Sequence, residues 1–396
     1  MKKEKTKSWS NVPFLTWEYE PQTEMKHKVL RYYLPMWAKI LGKHNTELNY
    51  IDGFGGIGAY HHPENTGMEY SMHHFGSPIF SLQTISRLQQ KGEIDNANII
   101  IIDENSDNIQ NLKQIVEYIG NDNPNIHYIN GDFDSEINQI LENDCRIGMY
   151  PSFFLIDPFG FSIKFNTIKK IMEKDKTEVL INFMYNAISR YVHHPSEKIT
   201  KLYDELFGTP QWRNHADKSG EEKELSLVKL FREQCKEIAS FVYPYKLNFP
   251  EKNRPYYYLF HLSNHYLACK LMKEAFAANN NNEFEYTGEQ VRQPNLFDIY
   301  NEKHELAVLT NLCSKCFVEK KANICMKCMQ ELLDVNSLTY RKFLGKIVDC
   351  LPFTEKEIKR MLNDFEKKGY LRVNSLRKRR QGFQPDDVLV FSFEGE

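Results

Sequence analysis

Between residues 47 and 275 short runs of β-branched and aromatic residues alternate with stretches whose apolar positions recur every three or four residues. The short runs are 47–52 (ELNYID), 98–103 (NIIIID), 126–130 (IHYIN), 152–157 (SFFLID) and 178–184 (EVLINFM), and they predict buried strands. A sixth strand is expected at 255–264 (PYYYLFHLSN), with helices at 195–207, 221–241 and 266–277. Residues 22–42 carry an amphipathic helical spacing with Pro35 as a kink point, so a helix is expected to cover the sheet ahead of its first strand. Strands alternating with helices form a doubly wound, mostly parallel α/β sheet.

The pattern changes at 278–300 (ANNNNEFEYTGEQVRQPNLFDIY), which is polar, Asn-rich and aperiodic. The expected organisation is therefore a domain over 1–280 that includes the N-terminal helix, a linker over 281–300, and a second domain over 301–396. In the second domain 337–351 and 354–370 read as helices, the latter opened by Thr354 with Glu357 three residues on, a capping box. YLRVNS then leads through RKRRQGFQPDD to VLVFSF. Two helices followed by a hairpin with a basic tip is the order of a winged helix-turn-helix. Arg377, Lys378, Arg379 and Arg380 at the tip suit phosphate contacts, although a solvated loop on a protein-binding winged helix has the same composition.

Charge and cysteine content narrow the classes. Lys and Arg number 51 against 53 Asp and Glu, a net charge of −2, so any nucleic-acid site must be local. No apolar run is long enough for a membrane helix, and MKKEKTKSWS lacks the core of a signal peptide; a cytoplasmic location is expected. Cys313, Cys316, Cys325 and Cys328 form two CxxC pairs with the spacing of a structural zinc site. The same segment also reads as helix, where those cysteines would be small buried hydrophobes; Cys145, Cys235, Cys269 and Cys350 are expected in the core.

Three predicted strands end in aspartate, at Asp52, Asp103 and Asp157, and Asp132 follows a fourth. The carboxyl ends of parallel strands share one crevice, so the four carboxylates are expected to converge there; each could instead cap the helix that follows it. After Asp52 comes Gly53-Phe54-Gly55-Gly56-Ile57-Gly58, a turn in which the backbone can approach a ligand closely, with an acidic residue that favours a ribose or a cationic amino-acid group over phosphate. Beyond Asp157-Pro158-Phe159-Gly160, the next strand brings Asn182, Tyr185, Asn186 and Arg190 to the same edge, groups suited to gripping a polar base or a backbone. His193 and His194 could act as acid or base, or could belong to a helix entry at Pro195-Ser196.

The loop at 52–58 resembles motif I of the Rossmann-like S-adenosylmethionine (SAM) methyltransferases. That resemblance implies that Asp52, Gly53, Phe54, Gly56 and Gly58 wrap the methionine part of SAM, Asp103 accepts from the ribose, and Asp132 with Phe133 faces the adenine. DPFG is a relative of the Asp/Asn-Pro-Pro-aromatic motif of base-amine methyltransferases, which would make Asp157 the reacting centre, with Asn182 and Tyr185 beside it, and Phe159 a stacking residue. Two features depart from the pattern: the second proline is missing, and a long His- and Gly-rich insert separates Gly58 from Asp103.

As a set, KHKVLRYYLPMWAKIL, YIDGFGGIG, FGSP, LIDPFGF, VLINFM, LFGTPQW and YYLFHLSNHYLACKLMKEA resemble the three-Cys-motif partner (TcmP) family over residues 15–280. The family implies a methyltransferase-type sheet, and some relatives are associated with defence against phage and with excision of glycosylated cytosine. Three expectations follow: SAM-dependent methylation of a flipped base in nucleic acid, most simply double-stranded DNA; a DNA glycosylase needing no SAM; or a winged-helix DNA-binding protein with a vestigial catalytic domain.

Overall fold

Along each central strand successive side chains enter two different cores. Tyr50, Ile99, Ile101, Phe153 and Leu155 pack on one face with the helices Pro21–Gly42, Ser77–Gln90, Ser106–Tyr118 and Tyr266–Ala278. Ile51, Ile100, Ile102, Phe154 and Ile156 pack on the other with Phe133–Asn143, Phe165–Met172, Glu197–Phe207 and Gly220–Lys236. Burial on both faces explains why these strands read as continuous apolar runs. The computed structural model describes residues 6–70, 74–121, 125–161, 163–249, 252–279, 285–286, 329–330, 333–351, 353–375 and 382–392.

The strands are β1 (Trp17–Glu18), β2 (Glu47–Asp52), β3 (Ala59–His61), β4 (His74–Phe75), β5 (Asn96–Asp103), β6 (Ile126–Asn130), β7 (Ser152–Ile156), β8 (Thr177–Phe183), β9 (Phe241–Phe249), β10 (Lys252–Ser263) and β11 (Glu285–Tyr286). The central sheet has the order β11-β9-β10-β8-β7-β2-β5-β6. β2, β5, β6, β7 and β8 are parallel, and β10 runs antiparallel to both β8 and β9. From β2 the chain steps outward to β5 and β6, then crosses back to β7 on the other side. This is a Rossmann-like α/β sheet of the methyltransferase type, and its topological switch point lies between β2 and β7. The insert after Gly58 does not lengthen the crevice loop; it folds into β3 and β4, and β3 pairs in parallel with β1.

The expectations at 221–241 and 278–300 need correction. Helix Gly220–Lys236 stops early and β9 follows, while β11 adds to the sheet edge from within the expected linker. Cys145 is exposed rather than in the core, Cys350 is half-buried, and Cys235 and Cys269 are buried.

In the C-terminal unit β12 (Ser337–Thr339) takes residues expected at the start of a helix. Helices Tyr340–Ile347 and Glu355–Lys367 follow, then β13 (Leu371–Asn374) and β14 (Val388–Phe391) in an antiparallel sheet ordered β12-β14-β13. The Thr354/Glu357 capping box is formed. Phe343, Ile347, Met361, Leu362 and Leu389 centre a core of its own. The unit docks on the α/β domain through buried charge: Asp349 accepts from Lys236 Nζ at 2.9 Å and Val242 N at 3.1 Å, with Arg232 at 3.9 Å. Lys273 donates to the carbonyls of Val348 and Leu351 at 2.7 and 2.6 Å. Arg377, Lys378, Arg379 and Arg380, and Cys313, Cys316, Cys325 and Cys328, lie outside the described residues.

Candidate active site

Strand β2 delivers Asp52 to the switch point with no solvent exposure. Its carboxylate accepts from Phe54 N at 3.3 Å, Tyr50 OH at 3.2 Å and the Ser77 hydroxyl. Burial dominates these donors and, with Asp157 adding repulsion, pushes the Asp52 carboxyl up to about 7. A carboxyl that exchanges its proton near neutrality is suited to acid–base work.

The glycine loop is held at both ends. Gly53 N donates to Leu155 O, Gly55 N to Ile102 O, and Gly76 N to Gly58 O, each at 2.9 Å. Gly58 adopts φ +84°, and a Cβ there would lie 2.5 Å from Leu112 Cδ2. Gly56, at φ +60°, turns its amide inward to Asp103 Oδ2 at 2.8 Å, and a Cβ there would lie 3.4 Å from Cζ3 of the Trp17 indole. Asp103 Oδ1 also accepts from Asn105 N at 2.9 Å and Asn108 Nδ2 at 3.1 Å. Phe133 lies against the backbone of Gly53, where a Cβ would meet its ring at 2.5 Å, and its ring packs 5.0 Å from that of Phe54.

Across the switch point, Asp157 is bridged on one oxygen by Lys26 and on the other by Asn182 Nδ2 at 2.6 Å. Asn182 is 3% exposed, and its Oδ1 has no hydrogen-bond partner among the described residues. A buried acceptor left unpaired costs about 1–3 kcal/mol, which a donor on a ligand would recover. Phe159 projects from the turn after Asp157, 54% exposed, and meets Trp17 edge to face at 5.6 Å.

The four carboxylates therefore do not form one cluster. Asp52 and Asp157 share the switch point, Asp103 serves the glycine loop, and Asp132 is exposed and caps helix Phe133–Asn143 by accepting from Ser135 N at 3.0 Å. Tyr185 is buried edge-on against Tyr258, next to Glu224, which pairs with Lys246 at 3.1 Å; burial pushes its phenol up. Arg190 is exposed on helix Tyr185–Tyr191. His193 lies 3.3 Å from Lys223 Nζ, and His194 accepts from Ser196 N at a helix entry.

Sequence reasoning missed Lys26 and Trp17. Lys26 stands on the same helical stripe as Gln22, Val29 and Tyr33, all buried, and a cation on an apolar stripe was the available signal. Trp17 is placed by the β1–β3 pairing and by Asn111, whose side chain holds Leu15 N and O and Ile57 O, so the strap and the glycine loop share one anchor. Among the described residues no group of three or more His, Cys, Asp or Glu side chains could hold a metal ion, and no helix is long and apolar enough to cross a membrane.

No family model matches the chain, and no curated protein does. Among solved structures it is similar to spermidine synthase from Thermotoga maritima at 10% identity, covering 70% of this chain and 72% of that one with a TM-score of 0.35. Protein LPL1258 from Legionella pneumophila is similar at 14% identity, with 61% and 84% covered and a TM-score of 0.36. Human methyltransferase-like protein 13 in complex with SAH is similar at 8% identity, with 65% and 91% covered and a TM-score of 0.32.

Proposed function

We propose that the crevice binds SAM and methylates an amine on a base of nucleic acid, most simply double-stranded DNA. The observation that carries this reading is the Gly56–Asp103 contact: it sets the glycine-loop backbone that follows β2 against the carboxylate that ends the neighbouring β5, a juxtaposition suited to a ribose and the chain attached to it. Gly53, Phe54, Gly56, Gly58 and Asp103 would hold the cofactor, with Phe133 at its edge. When bound, SAM supplies a methyl group on a sulfonium, and the acceptor nitrogen's lone pair forms the new N–C bond as the S–C bond breaks. Asn182 Oδ1 would accept from the target amine, Asp157 and Lys26 keep that amide in place, and Asp52 is the group suited to take the proton the amine releases. The C-terminal unit, read as a winged helix, would bring the duplex. The resemblance of residues 15–280 to the TcmP family is in keeping with the same reading.

Isothermal titration with SAM and with SAH tests the reading. Micromolar binding that Asp103→Ala weakens at least tenfold supports it; no binding to the wild-type protein removes it. Mass spectrometry of nucleosides after incubation with plain and modified DNA would identify the methylated base.

The Lys26–Asp157 pair favours a second reading, base excision. Once its proton has passed to Asp157, the Lys26 amine could attack the anomeric carbon; the base would leave with the bonding pair and gain a proton, and the sugar would open to an imine. Borohydride would then trap a protein–DNA adduct that Lys26→Met cannot form, and no adduct with glycosylated-cytosine DNA would eliminate this route.

A further inference from the structure

Two aromatic rings from distant parts of the chain, Trp17 and Phe159, meet edge to face two residues beyond Asp157. Trp17 belongs to β1, is half-buried and is held by pairing with β3, so its indole has little freedom. Phe159 is its opposite in every respect. It is 54% exposed, it follows Asp157 by two residues, and the next residue is Gly160 at φ +113°, where an added Cβ would meet nothing within 4 Å. A residue on such a turn can swing without disturbing packed neighbours, whereas Trp17 cannot.

The floor beneath the pair is polar and incomplete. Behind Phe159 stand Asp157 and Asn182, and Asn182 carries the buried, unpartnered Oδ1. The edge of the Trp17 indole lies against Gly56, where an added Cβ would meet Cζ3 at 3.4 Å. Farther along the same loop Phe161 packs 6.2 Å from Tyr191, which is 40% exposed and adjoins the exposed Arg190. A fixed ring, a hinged ring, an acceptor at the bottom and a cation with further aromatics outside match the chemistry of a nucleobase: a flat π-surface with donors on its edge and a phosphate chain attached.

We propose that Trp17 and Phe159 form a clamp that takes a nucleobase between them, Trp17 as the fixed platform and Phe159 as the closing side, with an edge donor of the base directed to Asn182 Oδ1. This deepens the reading of the site as one acting on a base, and it adds Trp17, a residue outside the glycine loop and the Asp157 turn, as its positioning surface. The base can come from a nucleic-acid strand or from the adenine of a nucleoside cofactor, and the experiment separates the two.

The four tryptophans differ in burial: Trp9, Trp37 and Trp212 are at most 8% exposed, which leaves Trp17 as the indole open to stacking. Tryptophan emission of the full chain is followed during titration with a mixed-sequence single-stranded oligodeoxynucleotide, its ribonucleotide counterpart, and SAH alone. Quenching that is present in wild type and lost in Trp17→Phe supports the clamp, and the ligand that produces it names the source of the base. Phe159→Ala, on an exposed turn, is expected to weaken that ligand about tenfold and to open Trp17 to acrylamide. SAM binding by calorimetry, run in parallel, tests the methyltransferase reading independently. If SAM binds but neither oligonucleotide nor SAH quenches Trp17, the clamp is wrong and the cofactor site stands. If an oligonucleotide quenches Trp17 while SAM does not bind, the clamp stands and methyl transfer falls. Unchanged affinity in both variants overturns the clamp.

Discussion

Replacing Asp52 by Asn should stabilise the folded chain, and by an amount that grows with pH. Asp52 has no solvent exposure, and burial lifts its carboxyl from 3.8 to about 7. Between those values the folded protein retains a proton that the unfolded chain has released, so stability falls as pH rises across the window, and the deficit is complete above about pH 7. Three units at roughly 1.4 kcal/mol each set its full size at about 4 kcal/mol, of which about 2.5 kcal/mol develops between pH 5 and pH 8. Asn removes the charge but presents an amide to Tyr50 OH, Ser77 and Phe54 N, donors that now lack one acceptor oxygen, at a cost of about 1–2 kcal/mol that does not depend on pH. The variant should thus be near neutral at pH 5 and more stable than wild type by about 2–3 kcal/mol at pH 8, while losing the methyl transfer proposed for the site. Urea unfolding at pH 5, 6, 7 and 8 measures the difference. A gap between variant and wild type that stays flat with pH, or that turns against the variant as pH rises, refutes a proton-holding Asp52 and with it the acid–base role.

Gly58→Ala should cost about 2–4 kcal/mol, because the new Cβ would sit 2.5 Å from Leu112 Cδ2 on a φ of +84°, whereas Gly92→Ala, strained at φ +65° but with nothing within 4 Å, should cost about 1 kcal/mol; paired thermal melts compare them. Asp349→Ala leaves Lys236, Arg232 and Val242 N facing a buried vacancy and should cost about 3–5 kcal/mol, seen in chemical denaturation and in faster proteolysis between the two units. Lys273 is fully buried and its ammonium is pushed down to about 8, so wild type should gain stability between about pH 8 and 10.5, by roughly 3 kcal/mol relative to Lys273→Met. A flat difference over that range would mean that the folded chain keeps the Lys273 proton up to about pH 10.5 and that burial does not push the ammonium down.

The central sheet was legible because its strands are buried on both faces, so each announces itself as an apolar run, and the helices between them carry a strong three-to-four period. β9 was not, for a local reason. FVYPYKLNF holds Pro244, which argues against a strand, yet among the described residues β11 pairs with β9 only at Lys246 and Leu247, so β9 is an edge strand at Pro244, where a missing N–H is tolerated. β12 is three residues whose ladder partners lie some fifty residues later, and no local pattern encodes that pairing. Asp132 illustrates the converse. Strand-end position suggested a ligand contact, but an Asp three residues before a backbone N–H that needs an acceptor serves as a helix cap with no help from tertiary structure.

The site divides along the same line. Asp52, the glycine loop and Asp157 are readable because each is a strand end, and strand ends meet by topology alone. Lys26 and Trp17 reach the crevice by routes the chain does not advertise, since the Lys26–Asp157 contact spans 131 residues and Trp17 depends on an insert folding back into β3. These two additions change what the crevice can do. The strand-end set by itself carries the proposed nucleoside site; Lys26 pairs with Asp157, which in turn holds the Asn182 amide, and Trp17 meets Phe159 on the turn beyond them. Whatever the reaction, its specificity should therefore reside in the N-terminal strap and first helix, and exchanging residues 6–42 between related chains should move substrate preference while leaving cofactor affinity in place.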